Sequence, residues 1–393
     1  MMGEVAQVFL RLGCTSFGGP VAHIGYFHEE LVRRRGWVTE AEFADLVALC
    51  QFLPGPASSQ LVFALGKRRA GMAGALVAST CFTLPSAILM MLFAWGVASL
   101  GGAEQAGWLH GLKLAAVPVV AQAVWAMGRK LCPDAARLAL AAVVAVVMLA
   151  FPGSLVQVGA IVAGALAGVL LYRRSSEVAG VAAVESGTPP VVGARRRGAL
   201  ALGVWAGLLL ALPLWAAASG SSLVAAWDGL YRAGSLVFGG GHVILPLLRA
   251  ELVPPGFVSD EAFLAGYGAA QAVPGPLFTL SAYLGVLMSP GAWSWAGGLA
   301  AVMAMFLPAW LLVGGALPFW QRLRAFPWAQ AALRGANAAV VGVLAAALWM
   351  PVGQEGIRHW LDLLLAAAGF VLLERFKVPA WAVVAGLALA CSI

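Results

Sequence analysis

Apolar residues along this chain do not alternate with polar ones. They run in stretches near residues 5–31, 41–66, 71–100, 108–128, 136–151, 154–172, 198–218, 222–249, 261–288, 291–320, 329–350, 358–373 and 378–392. Runs of this length without a period of two predict helices that cross or enter a bilayer of roughly 30 Å, and they argue against an outer-membrane barrel. The longest polar stretch, Tyr172 to Gly198, holds Arg173, Arg174, the pair Pro189-Pro190 and Arg195 to Arg197, and reads as a flexible cytoplasmic linker. The pattern predicts an all-α polytopic membrane protein of about 11–13 hydrophobic segments.

The chain also repeats itself. GWVTEAEFADLVALCQFLPGP, from Gly36, aligns without a gap to GFVSDEAFLAGYGAAQAVPGP, from Gly256, and Arg11-x-Gly13-x3-Phe17-Gly18-Gly19 aligns to Arg232-x-Gly234-x3-Phe238-Gly239-Gly240. Leu84-Pro85 matches Leu307-Pro308, and Lys113 with Val119-Val120 matches Arg334 with Val340-Val341. Long-period self-similarity in a membrane chain is the mark of a transporter built from two repeats. The expected domains are an N-terminal repeat, 1–172, a cytoplasmic linker plus bridging helix, 173–221, and a C-terminal repeat, 222–393. Six segments in the first half plus one bridging segment would set the second half upside down.

Composition agrees with a bilayer: 62% of residues are hydrophobic and 10% charged, against roughly 45–50% and about 25% in soluble domains. The five cysteines, Cys14, Cys50, Cys81, Cys132 and Cys391, are scattered, odd in number and never in a CxxC pair, so neither a disulfide framework nor a structural zinc site is expected. No basic segment precedes the first apolar stretch, so no cleavable signal peptide is expected. The net charge of +7 is read through the positive-inside rule, as basic cytoplasmic loops and not as a nucleic-acid surface. Arg33, Arg34 and Arg35 would break that rule if 5–31 crossed the membrane. The preferred reading has 5–31 and 41–66 each broken at a Gly/Pro motif and re-entrant, with the N-terminus cytoplasmic. It puts 18 of the 24 Lys and Arg on the inner face.

Four cations remain within apolar stretches, in repeat-related pairs: Arg11 with Arg232 and Lys113 with Arg334. A charge at that depth costs from about 3 to over 10 kcal/mol, so it is expected to face a polar cavity or a partner. The breaks are Phe17-Gly18-Gly19-Pro20, Phe238-Gly239-Gly240-Gly241, and the motifs Gln51-x2-Pro54-Gly55-Pro56 and Gln271-x2-Pro274-Gly275-Pro276. Proline blocks a helix and glycine admits positive φ, so each motif should end one helix and start another. The new helix N-termini carry roughly half a positive charge and free N–H groups that suit an anion. Ser58, Ser59, Thr279 and Ser281 follow the breaks and are expected to add hydroxyls. His23, His242 and Asp45 are candidates for proton coupling. No metal cluster, P-loop or GxSxG motif is found, so ATP-driven transport by this chain alone is excluded, and no cofactor is expected.

The FGGP near the N-terminus, the GWVTEAEF block leading into QFLPGP, and the second copy with FGGG, GFVSDEAF and QAVPGP resemble the two-domain chromate transporters. The resemblance covers nearly the whole chain. It implies a secondary transporter of the bacterial inner membrane that exports chromate, a tetrahedral oxyanion resembling sulfate, and so confers chromate resistance. The FGGG of the second half lacks the proline of the first, so the two breaks are expected to differ. Expected partners are the oxyanion and the bilayer; a homodimer is compatible with the sequence, and no nucleic acid is expected. A carrier of sulfate or another small oxyanion shares these features, and a membrane-embedded enzyme is the remaining class.

Overall fold

The computed structural model describes residues 1–99, 107–172, 193–238, 241–289, 291–323 and 326–392. The described residues are helical and contain no strand. The first half holds α1 (Met2–Thr15), α2 (Gly19–Phe27), α3 (Glu40–Phe52), α4 (Ala57–Ser99), α5 (Gly107–Leu131), α6 (Ala135–Ala150) and α7 (Ser154–Tyr172), followed by the bridging α8 (Ala194–Ser219). The second holds α9 (Ser222–Leu236), α10 (Ile244–Leu252), α11 (Asp260–Ala272), α12 (Leu280–Met288), α13 (Ser294–Ala316), α14 (Trp320–Leu323), α15 (Pro327–Ala347), α16 (Gln354–Gly356), α17 (Trp360–Glu374) and α18 (Ala380–Ala390). Six helices are long and apolar enough to cross a bilayer. This is a multi-pass membrane protein.

Four of the thirteen apolar stretches, 5–31, 41–66, 222–249 and 261–288, are cut in two at a Gly/Pro motif. The pieces have 14, 9, 13, 15, 9, 13 and 9 residues in α1, α2, α3, α9, α10, α11 and α12. At about 1.5 Å per residue none reaches the roughly 30 Å of a hydrocarbon core. The α4 backbone leaves helical geometry at Ala70 (φ −144°) and Gly71 (φ 66°), so its first part is short as well.

Ion pairs show where these short helices end. Glu4, at the start of α1, meets Arg35 at 3.4 Å and Arg69 at 3.0 Å. Glu42 in α3 pairs with Arg68, and His28 lies 2.6 Å from Glu40. The start of α1, the end of the helix that continues α2, the start of α3 and the end of the first part of α4 therefore share one end of the molecule, and the chain doubles back at each break. Arg69 also stacks over Trp37, 4.9 Å from the ring centroid. The hydrogen bond and charge of Arg69 hold the Glu4 carboxyl below its ordinary range.

The repeated block has a local cause. Thr39 caps α3: its hydroxyl accepts the Glu42 N–H at 3.2 Å while its own N–H donates to the Glu42 carboxylate at 3.1 Å. Ser259 caps α11 at the equivalent position, accepting the Ala262 N–H at 3.2 Å. Arg249 grips Asp260 through two hydrogen bonds, 2.6 and 2.8 Å, where the first half has His28 against Glu40. The two clasps lie toward opposite ends of α4: it leaves the first at Gly71, and near its other end Phe93 packs 5.5 Å from Tyr283, whose hydroxyl donates to the carbonyl of Ala262, two residues beyond Asp260.

Candidate functional site

The breaks of the two halves interlock. The Gly55 N–H donates to the Val237 carbonyl at 2.6 Å, and the Gly275 N–H donates to the Ser16 carbonyl at 2.8 Å. These are equivalent bonds exchanged between equivalent positions. Both glycines have positive φ, 115° and 97°, which turns their N–H toward the other half. At the centre of the exchange Pro20 meets its own counterpart, Gly241: a Cβ on Gly241 would lie 3.2 Å from the Pro20 ring. The difference between FGGP and FGGG therefore has a packing reason, because one position of the pair must be small for the other to carry a ring.

Two cavities flank this crossing. One, of about 210 Å³, is walled by Gly18, Gly19, Gln122, His242, Gln271 and Gly275, with Lys377 at its edge. Gly18 (φ 92°) is the N-cap of α2 and Gly19 its first residue, so the backbone of these two glycines forms part of the cavity wall; Pro20, the next residue, has no N–H to offer. The Gln271 amide nitrogen is buried without a hydrogen-bond partner. The His242 Nδ1 lies 3.0 Å from the Tyr267 hydroxyl. The second cavity, of about 200 Å³, is walled by Pro20, Gln51, Gly55, Ala57, Asn337 and Lys130 among others. A larger recess of about 510 Å³ between α5, α6 and α15 has nearly all-apolar walls, apart from Arg129. It suits an acyl chain better than an anion.

Gly18 and Gly19 thus join Gln271, Gly275 and His242, while Pro20 joins Gln51 and Gly55. The first cavity joins motif residues of both halves; in the second, the motif residues all come from the first half and Asn337 is the contribution of the second. Pro54, Pro56, Pro274 and Pro276 frame the turns; the Pro54 carbonyl accepts from the Gln60 amide at 2.7 Å. Ser58 and Ser59 are buried and do not line the second cavity. Thr279 and Ser281 donate their hydroxyls to the carbonyls of Pro276 (2.7 Å) and Phe278 (2.9 Å), so those protons serve the backbone. Gly239 and Gly240 lie outside the described residues.

The four cations expected beside the breaks are not gathered there. Arg11 is exposed on α1 and Arg334 half-buried on α15. Lys113, with 0% of its side chain exposed, bonds Glu261 at 3.3 Å. Arg232 pairs with Asp228 and lies 3.6 Å from Glu251. A cation in a low-dielectric interior takes the nearest carboxylate, and hydropathy does not reveal which helix brings one. His23 is fully buried with Nε2 3.2 Å from the Ser16 carbonyl, and Asp45 accepts from the Trp320 indole at 2.9 Å. Neither lines the two cavities at the crossing.

Comparison with known proteins decides the family. The chromate transporter family model matches residues 3–169 and again residues 224–392. The chain belongs to the chromate transporter family. A probable chromate transport protein of Synechococcus elongatus is 27% identical over 98% of this chain and 94% of its own length. A chromate transport protein of Cupriavidus metallidurans is 28% identical over 95% of this chain and 88% of its own. One from Pseudomonas aeruginosa is 30% identical over 86% and 78%. No solved structure matches.

For this family member, the motif reading missed Gln122, Asn337, Lys130 and Lys377 as cavity residues. Gln122 and Asn337 had a signal, each being an amide set in an otherwise apolar stretch. The two lysines had none, since loop and helix-end cations are ordinary positive-inside residues.

Proposed function

We propose that this protein exports chromate across the bacterial inner membrane as a secondary transporter, and that the 210 Å³ cavity at the crossing of the breaks binds the anion. The observation that carries the reading is the buried, unpartnered amide nitrogen of Gln271, a residue that lines the same cavity as Gly18, the N-cap of α2. A buried donor without an acceptor costs about 1–3 kcal/mol, a cost that a bound oxyanion removes. Gly18 and Gly19 supply backbone N–H groups, Gln271 and Gln122 supply amides, and His242 is placed to exchange a proton as the anion moves. The Gln51–Gly55 cavity is the equivalent site of the other half. The four cations act at a distance: Lys113 and Arg232 hold carboxylates, and Arg11 and Arg334 add positive charge to the field. Alternating access follows from two inverted repeats rocking about the interlocked glycines; the clasps toward opposite ends of α4 support that arrangement. Export is downhill for a dianion, since each charge leaving a negative interior gains about 2.3 kcal/mol per 100 mV.

Uptake of radioactive chromate into everted vesicles, with and without a pH gradient, tests the reading. Gln271→Leu should lower uptake tenfold or more at unchanged protein level, the loss of roughly one charge-assisted hydrogen bond. Wild-type uptake by that variant would refute the site, and sulfate carried as well as chromate would move the substrate to oxyanions at large. Orientation has its own test. A single cysteine replacing Arg34 should react with a membrane-impermeant thiol reagent only from the cytoplasmic side; reaction from outside intact cells would refute the re-entrant, N-inside topology.

A further inference from the structure

Three metal-ligating side chains far apart in the sequence converge at the end of the molecule that carries Asp260 and Glu261. His110 comes from the first turn of α5, Asp362 from the first turn of α17, and Cys391 from the residue after α18. One ligand atom of each lies within 4.8 Å of the other two. We infer that they form a binding site for a soft divalent transition-metal ion of the zinc class.

The spacing fits such an ion. Zinc binds N and O at about 2.0–2.2 Å and S at about 2.3 Å, which sets neighbouring donors in a tetrahedral shell about 3.3–3.8 Å apart. His110 Nε2 and Asp362 Oδ1 are 3.1 Å apart, so a small cation between them needs only a slight opening. The carboxylate is already aimed. Its Oδ2 accepts the N–H groups of Arg358 at 2.9 Å and His359 at 3.0 Å, which leaves Oδ1 toward His110. Hydrogen bonds of that kind fix ligand orientation and commonly change metal affinity by about 10–100-fold. Asp362 is buried and His110 and Cys391 half-buried, so the site is sheltered yet reachable from the end of the bundle. Imidazole, thiolate and one carboxylate select zinc, cobalt or copper over magnesium or calcium.

The helix packing serves the same convergence. Gly107 and Gly111 flank His110 on α5. A Cβ on Gly111 would lie 2.5 Å from Ala388 Cα, and one on Gly107 would strike the Cys391 carbonyl oxygen. Only with both glycines can α18 come close enough to set Cys391 beside His110. The nearby cations, Lys113 and Arg358, are each paired with Glu261, at 3.3 and 3.0 Å, so their repulsion of a metal ion is reduced. The ion would tie α5, α17 and α18 together, well away from the crossing of the breaks.

The test uses the full-length, tag-free protein in detergent, stripped with a chelator and titrated with Co²⁺. One equivalent per chain should give thiolate-to-cobalt charge-transfer absorption. Cys391→Ser should remove that absorption and weaken binding at least tenfold, and His110→Gln should weaken it similarly. Cys14→Ser, which changes an exposed cysteine on α1, should leave both unchanged. An independent readout on the unmutated protein covers variants that do not fold: Zn²⁺ should slow alkylation of Cys391 at least tenfold. Absence of the charge-transfer band, its survival in Cys391→Ser, or a Cys391 alkylation rate indifferent to Zn²⁺ would overturn the assignment.

Discussion

Gly275→Ala is expected to reduce chromate uptake at least tenfold and to destabilise the protein by about 2–6 kcal/mol. Two costs add. The residue sits at φ 97°, where a side chain raises the backbone energy by about 1–3 kcal/mol. The added Cβ would also stand 2.8 Å from Ser86 Oγ, 3.2 Å from Ser86 Cβ and 3.4 Å from the Gly13 carbonyl, an overpacking cost of about 1–3 kcal/mol. Relief by tilting the turn would break the 2.8 Å hydrogen bond to Ser16 that fastens the second half to the first. Gly55→Ala should behave alike, with φ 115° and a Cβ 2.7 Å from Gln60 Nε2. Gly25→Ala, on α2 with nothing within 4 Å of the new Cβ, is the control and should be neutral. Adding Ser86→Gly to Gly275→Ala removes the clash but not the strain, so partial recovery is expected. Thermal unfolding in detergent and vesicle uptake per folded molecule are the measurements. A Gly275→Ala protein with wild-type midpoint and uptake would dismiss the interlock as a mechanical element.

Glu261→Gln should cost about 2–3 kcal/mol, whereas Lys113→Met should cost under about 1 kcal/mol. Removing one partner of a buried ion pair leaves the other charge without compensation, at about 3–5 kcal/mol when both are deep. Lys113 is 0% exposed but Glu261 is 36% exposed, and water reaching the replaced side chain lowers the figure. Losing the lysine instead leaves Glu261 at the surface with Arg358 still 3.0 Å away, a stable arrangement. The double variant should recover most of the Glu261→Gln loss, which the unfolding midpoints of the four proteins measure directly. Uptake by Lys113→Met separates two roles. Retained uptake fits a lysine that holds a carboxylate, while a folded but inactive protein would return Lys113 to the substrate.

Much of the site was legible because its chemistry depends on local rules. Proline and glycine break helices wherever they fall, so Pro54-Gly55-Pro56 and Pro274-Gly275-Pro276 could be placed as helix breaks without a structure. The block beginning at Gly36 and its copy at Gly256 read as equivalent, and Thr39 and Ser259 prove to cap equivalent helices. The cations were harder. A charge within an apolar stretch announces that it needs a partner, but the partner of Lys113 is 148 positions away on α11, and no periodicity specifies which faces of α5 and α11 meet.

The sequence by itself determined that the chain is helical and membrane-bound, that it holds two related halves, and where its helices break, because hydropathy, chain-length matching to the bilayer and backbone sterics act over a few residues. Only the tertiary structure decided that the breaks of opposite halves bond to each other through Gly55 and Gly275, that Gly18 and Gln271 share one cavity, and that His110 and Cys391 stand together. Each of these depends on which helix faces pack. Packing follows shape and charge complementarity among residues far apart along the chain, and the hydrophobic effect that buries them has no direction of its own.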